Sequence, residues 1–161
     1  MIDSRARPTR LAAGVIGVGS MGQHHARVYS ELPDAELIGL SDVDEERAAA
    51  VAADHGTRPM DRSALLEAAD VVSVVVPTRC HYETVLQCIE HDVDVLVEKP
   101  FVDDIDQGRE LAERAAEAGI TLQVGFIERF NPATRVLADI VPDLDVVAID
   151  VDRLGPPVDR E

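Results

Sequence analysis

Leu11-Ala-Ala-Gly-Val-Ile-Gly-Val-Gly-Ser-Met-Gly22 decides the fold. A short apolar run enters a glycine-rich turn, and a helical pattern leaves it. A G-x-G-x-x-G signature carries meaning only in that context. Gly17 permits the tight turn, Gly19 lets the backbone approach a pyrophosphate, and Gly22 lets the helix pack on the strand. Ser20 and Met21 open the helix, whose first amides then face phosphate. A plain βα turn is the bland alternative. Asp42 ends the second apolar run, about where an acidic residue accepts both hydroxyls of an adenosine ribose and repels a 2′-phosphate. Val43 follows it rather than an arginine, which favours NAD over NADP. Asp42 can also be read as a cap for the helix after it.

Outward from this motif, apolar runs at 13–18, 35–40, 71–76, 93–97 and 120–126 alternate with helical patterns. The helices are expected at Met21–Leu32, Glu45–Asp54, Ser63–Ala68, Cys80–His91 and Asp104–Ala118. In the last, Ile105, Leu111, Ala112 and Ala115 share a face, and Gly119 stops the helix. Strands this continuously apolar belong to a sheet covered on both sides. The alternation implies a Rossmann-type α/β fold, a doubly wound parallel sheet of six strands in order 3-2-1-4-5-6. Asn131–Val141 reads as one more helix, ended near Pro142, and Asp145–Arg153 as a strand. We therefore expect a loose tail at 1–10, a dinucleotide-binding domain at 11–144, and at 145–161 the start of a second, α+β domain that the sequence lacks.

Composition narrows the function. Nearly half the residues are apolar, so the chain has the means to bury a core. Fifteen cations face 31 carboxylates, a net charge of −16, which disfavours nucleic acid and anionic membranes as partners. Eighteen Asp, thirteen Glu and one Lys fit a halophilic host, because molar salt shortens the Debye length to roughly 3 Å. An Arg- and Ala-rich composition from a GC-rich genome is the competing explanation. Cys80 and Cys88 are read as free thiols in a reducing, cytoplasmic setting. The five histidines lack metal-ligand spacing, and no metal is expected.

The single lysine, Lys99, stands in Glu98-Lys99-Pro100 at the end of the 93–97 run. Fourteen other cations are arginines, so this position needs an amine. Arginine stays protonated, whereas a lysine beside another positive charge can give up its proton. A solvated surface lysine is the alternative. Pro77-Thr78 closes the fourth strand, Glu98-Lys99-Pro100 the fifth, and Gly125-Phe-Ile-Glu-Arg129 the sixth. Strands 1, 4, 5 and 6 are neighbours in the expected order, so these motifs meet at the carboxyl rim where ligands bind. His81 starts a helix near that rim, either as a ligand or as a histidine satisfied by a neighbour.

Together these motifs resemble the Gfo/Idh/MocA family of sugar and inositol dehydrogenases, and Glu98-Lys99-Pro100 is the most specific mark. Gly22–Tyr29 (GQHHARVY), Val76–His81 (VPTRCH) and Val124–Pro132 (VGFIERFNP) look like the UDP-N-acetylglucosamine 3-dehydrogenases within it. That subgroup often has histidine where this chain has Phe126. The resemblance implies an NAD-dependent oxidoreductase acting on a CH–OH group of a sugar or nucleotide sugar. It makes Lys99 the residue that touches the substrate hydroxyl and the nicotinamide ribose. It places Arg129 and Asn131 near the nicotinamide and the sugar. Cofactor contacts are expected from Gly17, Gly19, Ser20, Met21, Gly22, Asp42, Pro77, Thr78, His81, Glu98 and Lys99. The family's partner histidine lies in the second domain, so the chain alone is expected to bind NAD without turnover. A homo-oligomer is expected of the full-length protein. A non-catalytic NAD-binding sensor of the same fold, or another sugar or inositol dehydrogenase, remains open.

Overall fold

The apolar runs become strands and the periodic stretches become helices. A computed structural model describes residues 10–150 and 152. Strands β1 (Leu11–Ile16), β2 (Ala35–Ser41), β3 (Val71–Val74), β4 (Asp94–Val97) and β5 (Leu122–Val124) form one parallel sheet in the order β2-β1-β3-β4-β5. Helices α1 (Ser20–Glu31), α2 (Glu45–Asp54), α3 (Arg62–Ala68), α4 (His81–Glu90) and α5 (Ile105–Ala118) connect them, and α6 (Pro132–Ile140) follows. Two apolar clusters lie around the sheet. One joins Val15, Val18, Ala26 and Leu40 with Ala48 and Val51 of α2. The other joins Ile16, Val72, Val74, Val95 and Val97 with Leu65, Val85 and Leu111. Burial on two faces is why the strands read as continuously apolar.

The sheet is the expected Rossmann type, with one strand reduced. The third strand of the six-strand order survives as a single parallel bridge, Leu40 to Pro59. Leu40 donates to the Arg58 carbonyl and accepts from the Met60 N–H, at 3.0 and 2.8 Å. Pro59 turns its nitrogen away from β2, toward the open edge where a proline is tolerated.

Three other expectations change. Thr78–Cys80 is a 3-10 turn, and α4 starts at His81. Ile105, placed with the core face of α5, is 74% exposed. It opens the helix at the rim, where β4 has already ended, while Leu111 and Ala115 farther along are buried. The strand expected over Asp145–Arg153 is not formed at 145–150, and Val151 and Arg153 lie outside the described residues. A β-branched apolar run makes a strand only beside another strand, and among the described residues none pairs with it.

The chain divides into two compact units between Phe126 and Ile127. Of the expected 1–10 tail, Arg10 is described. Its guanidinium donates to the Ala35 carbonyl at the start of β2, with Nε 3.1 Å away. The rest of the tail lies outside the described residues.

Candidate functional site

Strand register builds the site. Ile16 pairs with Ser41 on one side and Val74 on the other, Val74 with Val97, and Val97 with Val124. All five strands therefore end at one level. The residues just beyond them, Gly17, Asp42, Val75, Glu98 and Gly125, form a single rim. Ladder bonds continue into it: Gly17 N–H to Ser41 O at 2.7 Å, Val75 N–H to Ile16 O at 2.8 Å, and Glu98 N–H to Val74 O at 3.0 Å. Lys99 and the glycine loop thus share the carboxyl rim. They stand two strands apart, or about 10 Å at ordinary strand spacing.

The three glycines divide their work as the motif requires. Gly17 has φ +91°, and a Cβ there would lie 2.5 Å from the Val75 carbonyl oxygen. A Cβ on Gly22 would collide with the Gly17 carbonyl. A Cβ on Gly19 would meet nothing within 4 Å, so the loop leaves open space at the point where a pyrophosphate would approach. Helix α1 has no side-chain cap and no acid in its first turn. Its leading amides are left for an anion, and exposed Ser20 and Met21 flank the opening. These features fit a dinucleotide.

Asp42 is not the cap of α2. Asp44 is, accepting the Arg47 N–H at 3.0 Å. Asp42 instead ties the rim together. Its Oδ2 accepts the Val18 N–H at 2.7 Å, and its Oδ1 accepts from Asp44 N–H at 2.9 Å and Arg47 Nη2 at 2.8 Å. Burial alone would raise this carboxyl, whose side chain is 5% exposed. The Arg47 guanidinium and the two amides outweigh it and hold the carboxyl below its ordinary value. Sequence reading looked only at the neighbour of Asp42 for an arginine. The first turn of α2 supplies one from five positions on.

Other expected contacts divide. Pro77 is exposed and Thr78 half-buried at the rim, and the Lys99 residue is exposed. Two expected cofactor contacts are turned inward instead. The His81 ring is buried, with Nδ1 3.0 Å from the Pro100 and Phe101 carbonyls and Nε2 2.8 Å from that of Val76. It ties the end of β3 to the lysine loop. The Glu98 carboxylate is buried against His25 Nε2 at 3.2 Å and the Lys99 N–H at 3.1 Å. His25, Ser73 and Tyr29, which meet in this network, were missed. The signal lay in the spacing, since His25 is three residues after Gly22 and so shares its inward helix face.

Arg129 and Asn131 belong to the second unit. Arg129 lies exposed in a 3-10 turn. Asn131 caps α6, accepting the Ala133 N–H at 3.0 Å and donating to Glu128 Oε2 at 2.9 Å. A cavity of about 940 Å³ opens beside Asp42 and extends past Met60, Arg62 and His91 without reaching the glycine loop or Lys99. Among the described residues no group of His, Cys, Asp and Glu is arranged to hold a metal ion.

Residues 11–126 match the Gfo/Idh/MocA oxidoreductase family, described as an NAD-binding Rossmann fold. The chain belongs to this family. The matched residues are those of the family's NAD-binding domain, and they contain the whole rim described above. The chain is 38% identical over 128 residues to a UDP-N-acetylglucosamine 3-dehydrogenase of Acidithiobacillus ferrooxidans, covering 79% of this chain and 40% of the relative. It is 37% identical over 133 residues to an inositol 2-dehydrogenase of Rubrobacter xylanophilus, covering 80% and 38%. The solved structure of the Acidithiobacillus enzyme superposes with a TM-score of 0.78 at 37% identity, over 81% of this chain and 43% of that one. The chain thus spans about two fifths of the length of the relatives it matches.

Proposed function

We propose that this chain is the cofactor-binding part of an NAD-dependent dehydrogenase acting on a CH–OH group of a sugar, inositol or nucleotide sugar. One observation carries the proposal. The chain's single lysine stands exposed on the rim that the open glycine loop also occupies. The glycine loop and α1 bind the pyrophosphate through backbone amides. Asp42 accepts a ribose hydroxyl at the one acceptor site its three hydrogen bonds leave free, on Oδ2, and so selects NAD over NADP. Hydride transfer is the chemistry a bound nicotinamide supplies. Lys99 takes up the proton that the substrate hydroxyl loses. Arg129 and Asn131 contact the sugar side. A UDP-N-acetylglucosamine-type substrate is our finer reading, supported by the first relative above. Inositol is the alternative that the second relative supports.

The matched segment is the family's cofactor half, and residues 1–161 tested by themselves are expected to bind NAD without turnover. Positioning of substrate is worth about 7–11 kcal/mol of barrier, which the cofactor half does not supply. A homo-oligomeric, cytoplasmic enzyme is part of the same proposal. The test is NADH formation with a panel of inositols and UDP-sugars, by the chain and by a longer gene product that carries it. In the longer product, Lys99→Arg should keep cofactor affinity and lose most of the turnover. Turnover by residues 1–161 alone, or an active Lys99→Arg protein, contradicts the assignment. Asp42→Ser should release Arg47 toward a 2′-phosphate and shift the NADP-to-NAD preference by roughly tenfold. An unchanged preference would show that Asp42 only braces the rim.

A further inference from the structure

Lys99 carries its amine on a flexible four-carbon stem, so its aim depends on how firmly its backbone is held. Behind that backbone lies a buried polar line. Glu98 is 8% exposed, and its Oε2 accepts the Lys99 N–H at 3.1 Å. Its Oε1 stands 3.2 Å from His25 Nε2. On the far side of the ring, Nδ1 is 3.0 Å from Ser73 Oγ, which lies 3.1 Å from Tyr29 Oη. His25 and Tyr29 come from α1, one turn apart, and fully buried Ser73 comes from β3. A carboxylate this deep is costly unless hydrogen-bonded, and the line gives each of its oxygens a partner. The fold also makes room for it. A Cβ on Gly125 would stand 3.0 Å from Glu98 Oε1 and 3.2 Å from the carboxyl carbon. On the other side of Lys99, His81 grips the carbonyls of Pro100 and Phe101.

We propose that His25 is a positioning residue for Lys99, acting through the Glu98 carboxylate. One rigid line then joins α1, whose leading amides face the cofactor phosphates, to the loop that carries the amine. The inference rests on the proposed function only where it gives Lys99 a chemical role. The holding itself is a property of this chain. A carboxylate only accepts hydrogen bonds, so the ring nitrogen facing Glu98 is the one that carries a proton. Ser73 meets Nδ1 with a hydroxyl able to give or to take.

The test uses the 15N-labelled chain. Imidazole resonances should show His25 protonated at Nε2, and a bare Nε2 overturns the proposal. In His25→Ala the Lys99 amide should exchange with solvent about tenfold faster or more, while the Val15 and Val72 amides stay at their native rates. His25→Gln places an amide N–H near the same position and should restore most of the protection. It also serves if the alanine variant fails to fold. In a longer gene product that turns over, His25→Ala should lower kcat and leave KM for NAD nearly unchanged. Native exchange at Lys99 in both variants overturns the proposal, even where Lys99→Arg abolishes turnover. Native turnover in Lys99→Arg overturns the chemical role of Lys99 instead, and leaves the amide result to judge the holding.

Discussion

Asp42 shows how much one side chain can settle. Its carboxylate collects two backbone amides and a guanidinium from three places along the chain. Charge-assisted bonds of this kind contribute about 1.5–3 kcal/mol, so Asp42→Asn should destabilise the chain by that amount at neutral pH. The carboxyl is held below its ordinary value in the folded state. Its contribution is therefore complete above the unfolded value near 4 and fades as pH falls through the lower folded value. Urea melts of both forms should converge on acidification, and a gap that stays constant from pH 7 to 3 would contradict the assignment. The cysteines make a second residue-scale case. Burial pushes the Cys88 thiol up to about 12, and its Sγ–H is directed at the Thr84 carbonyl at 3.1 Å. Cys80 is half-exposed in the turn before α4. A thiol reagent near pH 8 should modify one cysteine in the native chain and two in denaturant. Rapid loss of both native thiols would show that α4 opens readily.

Elements were legible where their signals are local. Helix α5 announces itself by its period and by Gly119 after it. Asp104 accepts the N–H groups of Asp106 and Gln107, and Gly119 closes the helix at φ +73°. Asp104→Ala should cost about 1 kcal/mol, measured by denaturant unfolding, and no loss would mean that the α5 terminus frays already. The glycine loop, Asp42 and Lys99 were legible because each motif directly follows a strand, and a parallel sheet brings all such positions to one rim. What stayed hidden was long-range or depended on a partner. His25 and Glu98 are 73 residues apart, and neither looks unusual in its own segment. Arg47 reaches Asp42 only once α2 has turned. Glu98 and His81 were recognised as rim residues, but residue type alone does not say whether a rim side chain points outward or in. The third strand is a single bridge at Pro59, and residues 146–149 are apolar like a strand without one beside them.

At the scale of the whole molecule, charge and cofactor make separate demands. A net charge of −16 on 161 residues opposes the compact state by self-repulsion, and salt screens it. We propose that stability rises steeply from dilute to molar KCl, read as the melting temperature. A salt-independent melt would return the composition to base bias in the genome. No helix among the described residues is long and apolar enough to cross a membrane. The family match covers the unit that carries the rim, so cofactor binding can be tested on this chain directly. We propose that one dinucleotide spans this rim from the glycine loop to the lysine loop. The 15N-labelled chain is titrated with NAD and its amide shifts are followed. Saturable shifts are expected at Gly19, Ser20 and Met21 together with Lys99. Shifts confined to the cavity by Arg62 and His91, or shifts at the glycine loop that leave Lys99 unmoved, would contradict it.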